Sequence, residues 1–344
     1  MRDVARHAGV SVMTVSRVVN RADHVSPATR QRVEESIAEL GYTPNNLGRG
    51  LTSRRTRALG VIVPDVANPF FTLVLRGAEK TARQAGYRVT ICNSEAGADL
   101  ERDYLGDIIS NQVEGVIIAP VGDSSRLRLQ ALKRHGVPFV LIDRSVAGLE
   151  SDLVQGDSVG GARILVDHLT ALGHRRIAMI TLSNDISTAR DRYRGYVEAL
   201  RAVDVEPDPL LLVRSDSEDT EGGAHAMEAL LALKKRPTAV FAINNMAAVG
   251  AVQAIRAAGL DVPADIAVVC FDEVVHATLS PFLTVMAQPA DMFGVLAAQL
   301  LVERIDARVQ GSRRIVVLPG DLIVRQSCGA QLGGRTWHSL RRGK

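Results

Sequence analysis

From Ala58 onward, apolar residues collect in short, nearly unbroken runs of Val, Ile, Leu and Ala. Between the runs they recur every three or four positions among polar residues. The runs LGVIVP (59–64), RVTICN (88–93), GVIIAP (115–120) and PFVLID (138–143) predict strands, with helices at roughly 72–85, 99–111 and 124–135. A second set follows in DLVQGD, RIAMITL (176–182), LLLVRS, AVFAIN (239–244) and IAVVCFD (266–272). LTVMAQP and a helix near 290–310 are then expected to return to the first set, and RIVVLPGDLIVRQS closes the pattern. Strands without polar alternation, separated by helices, imply parallel sheets covered on both faces. The body is therefore expected to be α/β with two lobes.

The first 44 residues follow a helical period only. Asp3 to Ala8 predict a short helix with Val4, Ala5 and Ala8 inward, and Gly9 supplies the turn that needs φ > 0. Ser11 is placed to cap a second helix, Val12 to Asn20, anchored by Val15, Val18 and Val19. Ser26 and Pro27 start a third helix that ends at Gly41, with Val33, Ile37 and Leu40 inward. Three short helices can bury one shared apolar centre. The second then presents Val12, Met13, Ser16, Arg17 and Asn20 to solvent: small side chains that permit close approach to a major groove, and an Arg able to grip guanine.

Charge sharpens this division. Residues 1–57 hold ten Arg and no Lys against five acidic residues, whereas the other 287 carry 31 basic and 33 acidic ones. A basic module on a near-neutral body points to a polyanionic partner for the module. No run approaches the roughly 18 apolar residues of a membrane span, and no apolar signal region opens the chain, so a cytoplasmic protein is expected. Cys92, Cys270 and Cys328 lack metal-ligand spacing and are read as reduced structural thiols; no metal and no cofactor is expected. Aromatic residues make up only 4%, so the cores should be aliphatic.

The segments DVARHAGVSVMTVSRVVN, HVSPATRQRVEESIAELGYTPN and SRRTRALGVIVPDVANPFF resemble the lactose-repressor (LacI/GalR) family of bacterial transcription regulators, and the likeness runs to about Arg325. It implies a helix-turn-helix headpiece (1–44), a hinge (45–57), a periplasmic-binding-protein-like body (58–327) and a flexible tail (328–344). The body would divide into an N-lobe, about 58–156 and 286–312, and a C-lobe, about 157–285 and 313–327. Val12 and Met13 would discriminate operators, with Arg17 also at base edges. Ser11, Thr14, Ser16, Asn20 and His24 would mostly contact the DNA backbone. In the hinge, Asn45 matches the start of a helix that forms on DNA, and Leu51 matches a wedge inserted into the minor groove. Gly48 and Gly50 stand where the family has better helix formers, which predicts a hinge that orders less readily. At the other end of the module, Met1 and Arg2 precede Asp3 directly, without the capping Thr the family usually places there.

In the body, Asp143, Asn244 and Asp272 each end a predicted strand, Arg192 opens a helix in STARDRYRGY, and Phe70 and Phe71 follow the first strand in NPFF. Ligands of two-lobed parallel sheets sit at the strands' C-terminal ends. Carboxylate, amide and guanidinium groups with flat aromatic faces suit a polyhydroxylated molecule. The resemblance assigns these six as effector contacts. Each also has a plainer role: a helix cap for Asp143, a helix surface for Arg192, lobe-core packing for the two Phe. Two departures bear on the ligand. Asn244-Asn245 replaces the usual Asn-Asp, and Glu218 falls where many members carry a large aromatic, which would suit a more polar or cationic effector if it faces the cleft.

The expected function is sequence-specific DNA binding by a repressor whose affinity for a pseudo-palindromic operator responds to a small effector, a sugar or sugar derivative. One short recognition helix reads few base pairs, so a homodimer is expected. Alternatives are an activator or co-repressor-dependent repressor, a solute-binding protein, or an enzyme on the same fold. An oxidoreductase would need a Gly-rich turn after the first strand, where VPDVANPFF has no glycine.

Overall fold

Continuous burial sorts the strands. In the computed structural model, which describes residues 1–19, 25–42, 56–274, 281–306 and 311–330, the strands whose residues are all buried lie inside two sheets. Those with alternating or exposed patterns lie at the edges. The chain divides into two units, Met1–Thr56 and Arg57–Lys344.

The first unit contains α1 (Arg2–His7), α2 (Val12–Val19) and α3 (Pro27–Glu39). Val4, Ala5, Ala8, Val15, Val18 and Val33 form its buried centre. Gly9 takes φ +63° at the turn, as the sequence required. Ser26 caps α3 by accepting the Thr29 N–H, with Pro27 in the first turn. Leu40, expected inward, is 45% exposed; the left-handed Gly41 turns the chain back, and Tyr42 packs on the centre instead.

The second unit begins with β1 (Ala58–Val63), α4 (Pro69–Gln84), β2 (Arg88–Asn93), α5 (Ala98–Ser110), β3 (Gly115–Ile118), α6 (Arg126–Arg134), β4 (Phe139–Ile142) and β5 (Asp152–Gly156). It continues through α7 (Ser158–Ala171), β6 (Ile177–Thr181), α8 (Ser187–Arg201), β7 (Leu212–Arg214), α9 (Thr220–Leu231), β8 (Ala239–Ala242), α10 (Asn245–Ala257), β9 (Ala267–Phe271) and β10 (Thr284–Ala287). It ends with α11 (Ala290–Ile305), β11 (Ile315–Leu318) and β12 (Asp321–Ile323). One sheet has the order β11-β5-β4-β3-β1-β2 and the other β12-β10-β9-β8-β6-β7. All pairings are parallel except β10 with β12.

The chain passes between lobes after β5, after β10 and after β11. The sequence-based division is corrected at two of these points. LTVMAQP was expected in the first lobe, but Thr284–Ala287 pairs with β9 in the second sheet. Residues 313–327 were assigned to the C-lobe, but Ile315–Leu318 pairs with β5 as an edge of the first sheet. RIVVLPGDLIV is thus two strands split at Pro319-Gly320, each completing a different sheet. Helices α4 and α11 close the first lobe by near backbone contact: a Cβ on Gly294 would lie 1.9 Å from the Val74 carbonyl oxygen.

Among the described residues, no helix is long and apolar enough to cross a membrane. Likewise, no His, Cys, Asp and Glu cluster could hold a metal ion. The three cysteines are buried and unbridged.

Candidate functional site

In the headpiece, the cap predicted for α2 is formed. The Thr14 N–H donates to Ser11 Oγ at 3.1 Å, and the two hydroxyls lie 2.9 Å apart. With Val15 and Val18 holding the inner face, Val12 and Met13 are left 44% and 66% exposed. Arg17 is exposed and Ser16 half-buried on the same side. Neither side chain packs into the headpiece's buried centre. The His7 ring nitrogens meet Ser36 Oγ at 3.0 Å and Glu39 at 3.3 Å, tying α1 to α3. Asn20, His24, Asn45 and Leu51, with Gly48 and Gly50, lie outside the described residues.

In the body, Asp143 and Asp272 occupy equivalent places in the two lobes. Each follows a central strand in a left-handed conformation, φ +62° and +68°. Each donates its N–H to the next strand, Asp143 to Val154 at 2.9 Å and Asp272 to Met286 at 3.0 Å. Asp tolerates this region better than most residues, yet it still costs free energy of the order of 1 kcal/mol or more. The bend closes each strand and leaves a carboxylate at its C-terminal end. Both residues are buried. Burial pushes the Asp272 carboxyl up to about 6, and repulsion from Asp143 adds to this; the Arg192 charge and a hydrogen bond from Gln288 offset part of it. The Gln288 Nε2 donor lies 2.7 Å from Asp272 Oδ1.

Arg192 enters from α8 with only 4% of its surface exposed. Its guanidinium lies 3.8 Å from the Phe271 ring centre and donates to the Ile243 carbonyl at 2.6 Å. Among the described residues its buried Nε has no hydrogen-bond partner, nor has Gln288 Oε1. Leaving a buried polar atom without a partner costs about 1–3 kcal/mol each. Asn244 caps α10 through Oδ1, accepting the Ala247 N–H at 2.8 Å, and its Nδ2 donates to the Glu218 carbonyl at 3.3 Å.

Phe70 and Phe71 are placed differently from the ring-stacking surface expected. Both are buried in the first-lobe core, edge-to-face on one another at 5.1 Å, with Phe70 also edge-to-face on Phe293. Helix α4, capped at Asn68, turns them inward.

Glu218 does face the other lobe. Its carboxylate meets Arg144 at 2.5 Å, and Arg144, itself buried, also lies 3.5 Å from Asp143. Asn245 uses the amide that distinguishes it from Asp: Nδ2 donates to Asn68 Oδ1 across the lobes at 3.1 Å. Beside these contacts is a cavity of about 690 Å³, lined by Asp65, Asn93 and Glu95 of the first lobe and by Asp185, Asp216 and Glu218 of the second. None of the six expected effector residues lines it. Sequence reading missed Arg144 and Gln288. Arg144 had one available signal, a charge directly following the apolar strand PFVLID.

Residues 1–45 match the family described as bacterial regulatory proteins, lacI family, and residues 166–328 match a periplasmic binding protein-like domain. The ribose operon repressor of Escherichia coli is 35% identical over 320 residues, 93% of this chain and 97% of that protein. The chain belongs to the LacI family. As a LacI-family member it is a DNA-binding transcriptional regulator, and its two units correspond to the family's helix-turn-helix headpiece and two-lobed body. A lac repressor dimer bound to operator and the anti-inducer ONPF is similar with a TM-score of 0.80 at 29% identity, over 95% of this chain and 98% of that one. A complex of the transcriptional regulator CelR with cellobiose gives 0.72 at 32% identity, over 94% and 98%.

Proposed function

We propose that this LacI-family regulator is a cytoplasmic homodimeric repressor, not an enzyme, that releases or grips a pseudo-palindromic operator according to occupancy of the cleft between its lobes. The effector is a small polyhydroxylated molecule, a sugar or sugar derivative. Asp143, Asp272, Asn244 and Gln288 pair with its hydroxyls, and Arg192 supplies a charged donor. Phe70 and Phe71 support the site from the core behind it. In the headpiece, Val12, Met13 and Arg17 read bases, while Ser11, Thr14 and Ser16 serve the backbone. For Asn20, His24, Asn45 and Leu51 the proposal rests on family position alone.

The observation that carries this reading is the buried Asp272 carboxylate, hydrogen-bonded by Gln288 and within the field of the buried Arg192, with two polar atoms left unsatisfied, in a body belonging to the same chain as an exposed recognition helix. The relatives named above support it: one is a ribose operon repressor, and one is a transcriptional regulator in complex with cellobiose. To test it, an inverted-repeat duplex selected from random DNA is titrated with purified protein at several salt concentrations. Tight binding should weaken steeply as salt rises. Arg17→Ala should cost about 1–3 kcal/mol and relax base preference. Arg192→Ala should leave effector-free DNA binding intact while abolishing the response to any sugar found active in a thermal-shift screen. No preference for an inverted repeat over random sequence refutes the proposal.

A further inference from the structure

We propose that the body carries a ligand-independent clasp, in which the Gly122–Ser124 loop of the first lobe docks on the Asp185–Arg190 turn of the second. The chain's own groups thereby hold the lobes together, and the clasp sets the effector-free operator affinity. The clasp itself rests on geometry; its effect on DNA rests on the function proposed above.

The loop and the turn are joined by backbone as well as charge. The Asp123 N–H donates to the Asp185 carbonyl at 2.9 Å, and the Ser124 N–H lies 3.4 Å from Asp185 Oδ2. Arg190 donates to Asp123 Oδ2 at 2.8 Å. None of these contacts needs a bridging molecule. Gly122 shows how close the approach is: a Cβ there would sit 2.4 Å from Asp185 Oδ2 and 2.9 Å from the Asp185 carbonyl oxygen. Its φ of 170° is extended backbone open to any residue. Glycine is therefore required by the facing lobe, not by the loop's own conformation.

The loop reaches this position because it is fastened from behind. Glu101, fully buried on α5, accepts the Val121 N–H at 2.8 Å, the Ser125 hydroxyl at 3.0 Å and Arg128 Nε at 2.9 Å. Asp123 Oδ1 accepts the Ala147 N–H at 2.7 Å. A loop held by a buried carboxylate behaves as a rigid jaw, so docking loses little chain entropy. The Arg144–Glu218 pair and the Ser145 N–H to Ser187 Oγ bond, 2.9 Å, extend the closure along the same seam. Glu218 on this reading serves closure, through Arg144, rather than recognition of a cationic effector.

The test is amide hydrogen exchange on the full-length protein without effector, read at residues 121–125. In the wild type the Asp123 and Ser124 amides should exchange at least about tenfold more slowly than in an unstructured peptide. Gly122→Ala should remove that protection while leaving β1 and β6 amides unchanged, which shows that the lobes remain folded. Arg190→Gln, which leaves the loop backbone untouched, should speed exchange at the same amides by a smaller factor, about threefold. Unprotected amides in the wild type, or full protection retained in Gly122→Ala, overturn the clasp. If Gly122→Ala loses protection yet binds the selected duplex with wild-type affinity, the regulatory half is overturned. Failure of the wild type to prefer any inverted repeat strikes instead at the functional reading.

Discussion

Asp272→Asn should make the effector-free protein more stable while weakening its response to effector. Burial raises the Asp272 carboxyl from 3.8 to about 6 against the pull of Arg192 and Gln288. The folded state therefore binds this proton more tightly than the unfolded chain does. Below about pH 4 the group is neutral in both states and imposes no penalty. Between pH 4 and pH 6 the unfolded chain ionises first and the folded protein loses stability. Above pH 6 the loss is complete. Two units at 1.36 kcal/mol each give about 3 kcal/mol, an upper figure because the substitution also gives up the carboxylate's attraction to the nearby Arg192 charge. Asn keeps the shape, and its Oδ1 still accepts the Gln288 N–H found at 2.7 Å. Urea unfolding of both proteins, followed by circular dichroism at one fixed protein concentration from pH 4.5 to 8, measures this. The variant's advantage should grow with pH and level off above pH 6. A difference that is flat across the range, or a variant less stable at pH 7.5, would show that the cleft does not strain this carboxylate. A residue whose removal stabilises the fold is one kept for binding.

Three further outcomes follow from other parts of the chain. Asp152 is the reverse case. Its burial is outweighed by hydrogen bonds from Arg304 and Arg314 that hold its carboxyl down to about 2; Asp152→Asn should thus cost about 2 kcal/mol at neutral pH, and in the wild type this contribution should persist above pH 4 and disappear as pH falls through 2. Gly294→Ala should lower thermal stability by about 1–3 kcal/mol, measured calorimetrically, since the new Cβ would lie 1.9 Å from the Val74 carbonyl oxygen; an unchanged melting temperature would mean that α4 and α11 do not cross this closely. Ser11→Ala should remove the 3.1 Å cap on α2 at about 1 kcal/mol, seen as faster amide exchange in residues 12–19 with the body unaffected.

What could be read in the sequence was set by near neighbours. Gly9 at positive φ, Ser11 and Ser26 as caps, and Val15 with Val18 at helical spacing all follow from interactions within a few residues. The fully apolar central strands announced a sheet covered on both faces. Leu40 failed the same pattern because a left-handed glycine one residue later brings Tyr42 inward in its place. NPFF offered flat rings near a strand end, but only the facing Phe293, more than two hundred residues away, decides that they serve the core.

The sequence by itself determined the division into a basic three-helix reader and an aliphatic α/β body, because periodicity, capping and charge are local or additive. Tertiary structure alone decided which sheet β10 and β11 join, since strand partners are chosen by shape and burial at long range. It also decided that Arg144 meets Glu218, 74 residues away, across the lobes. A charge beside a strand looks the same in sequence whether it faces water or another lobe. Only packing removes the water and gives it a partner.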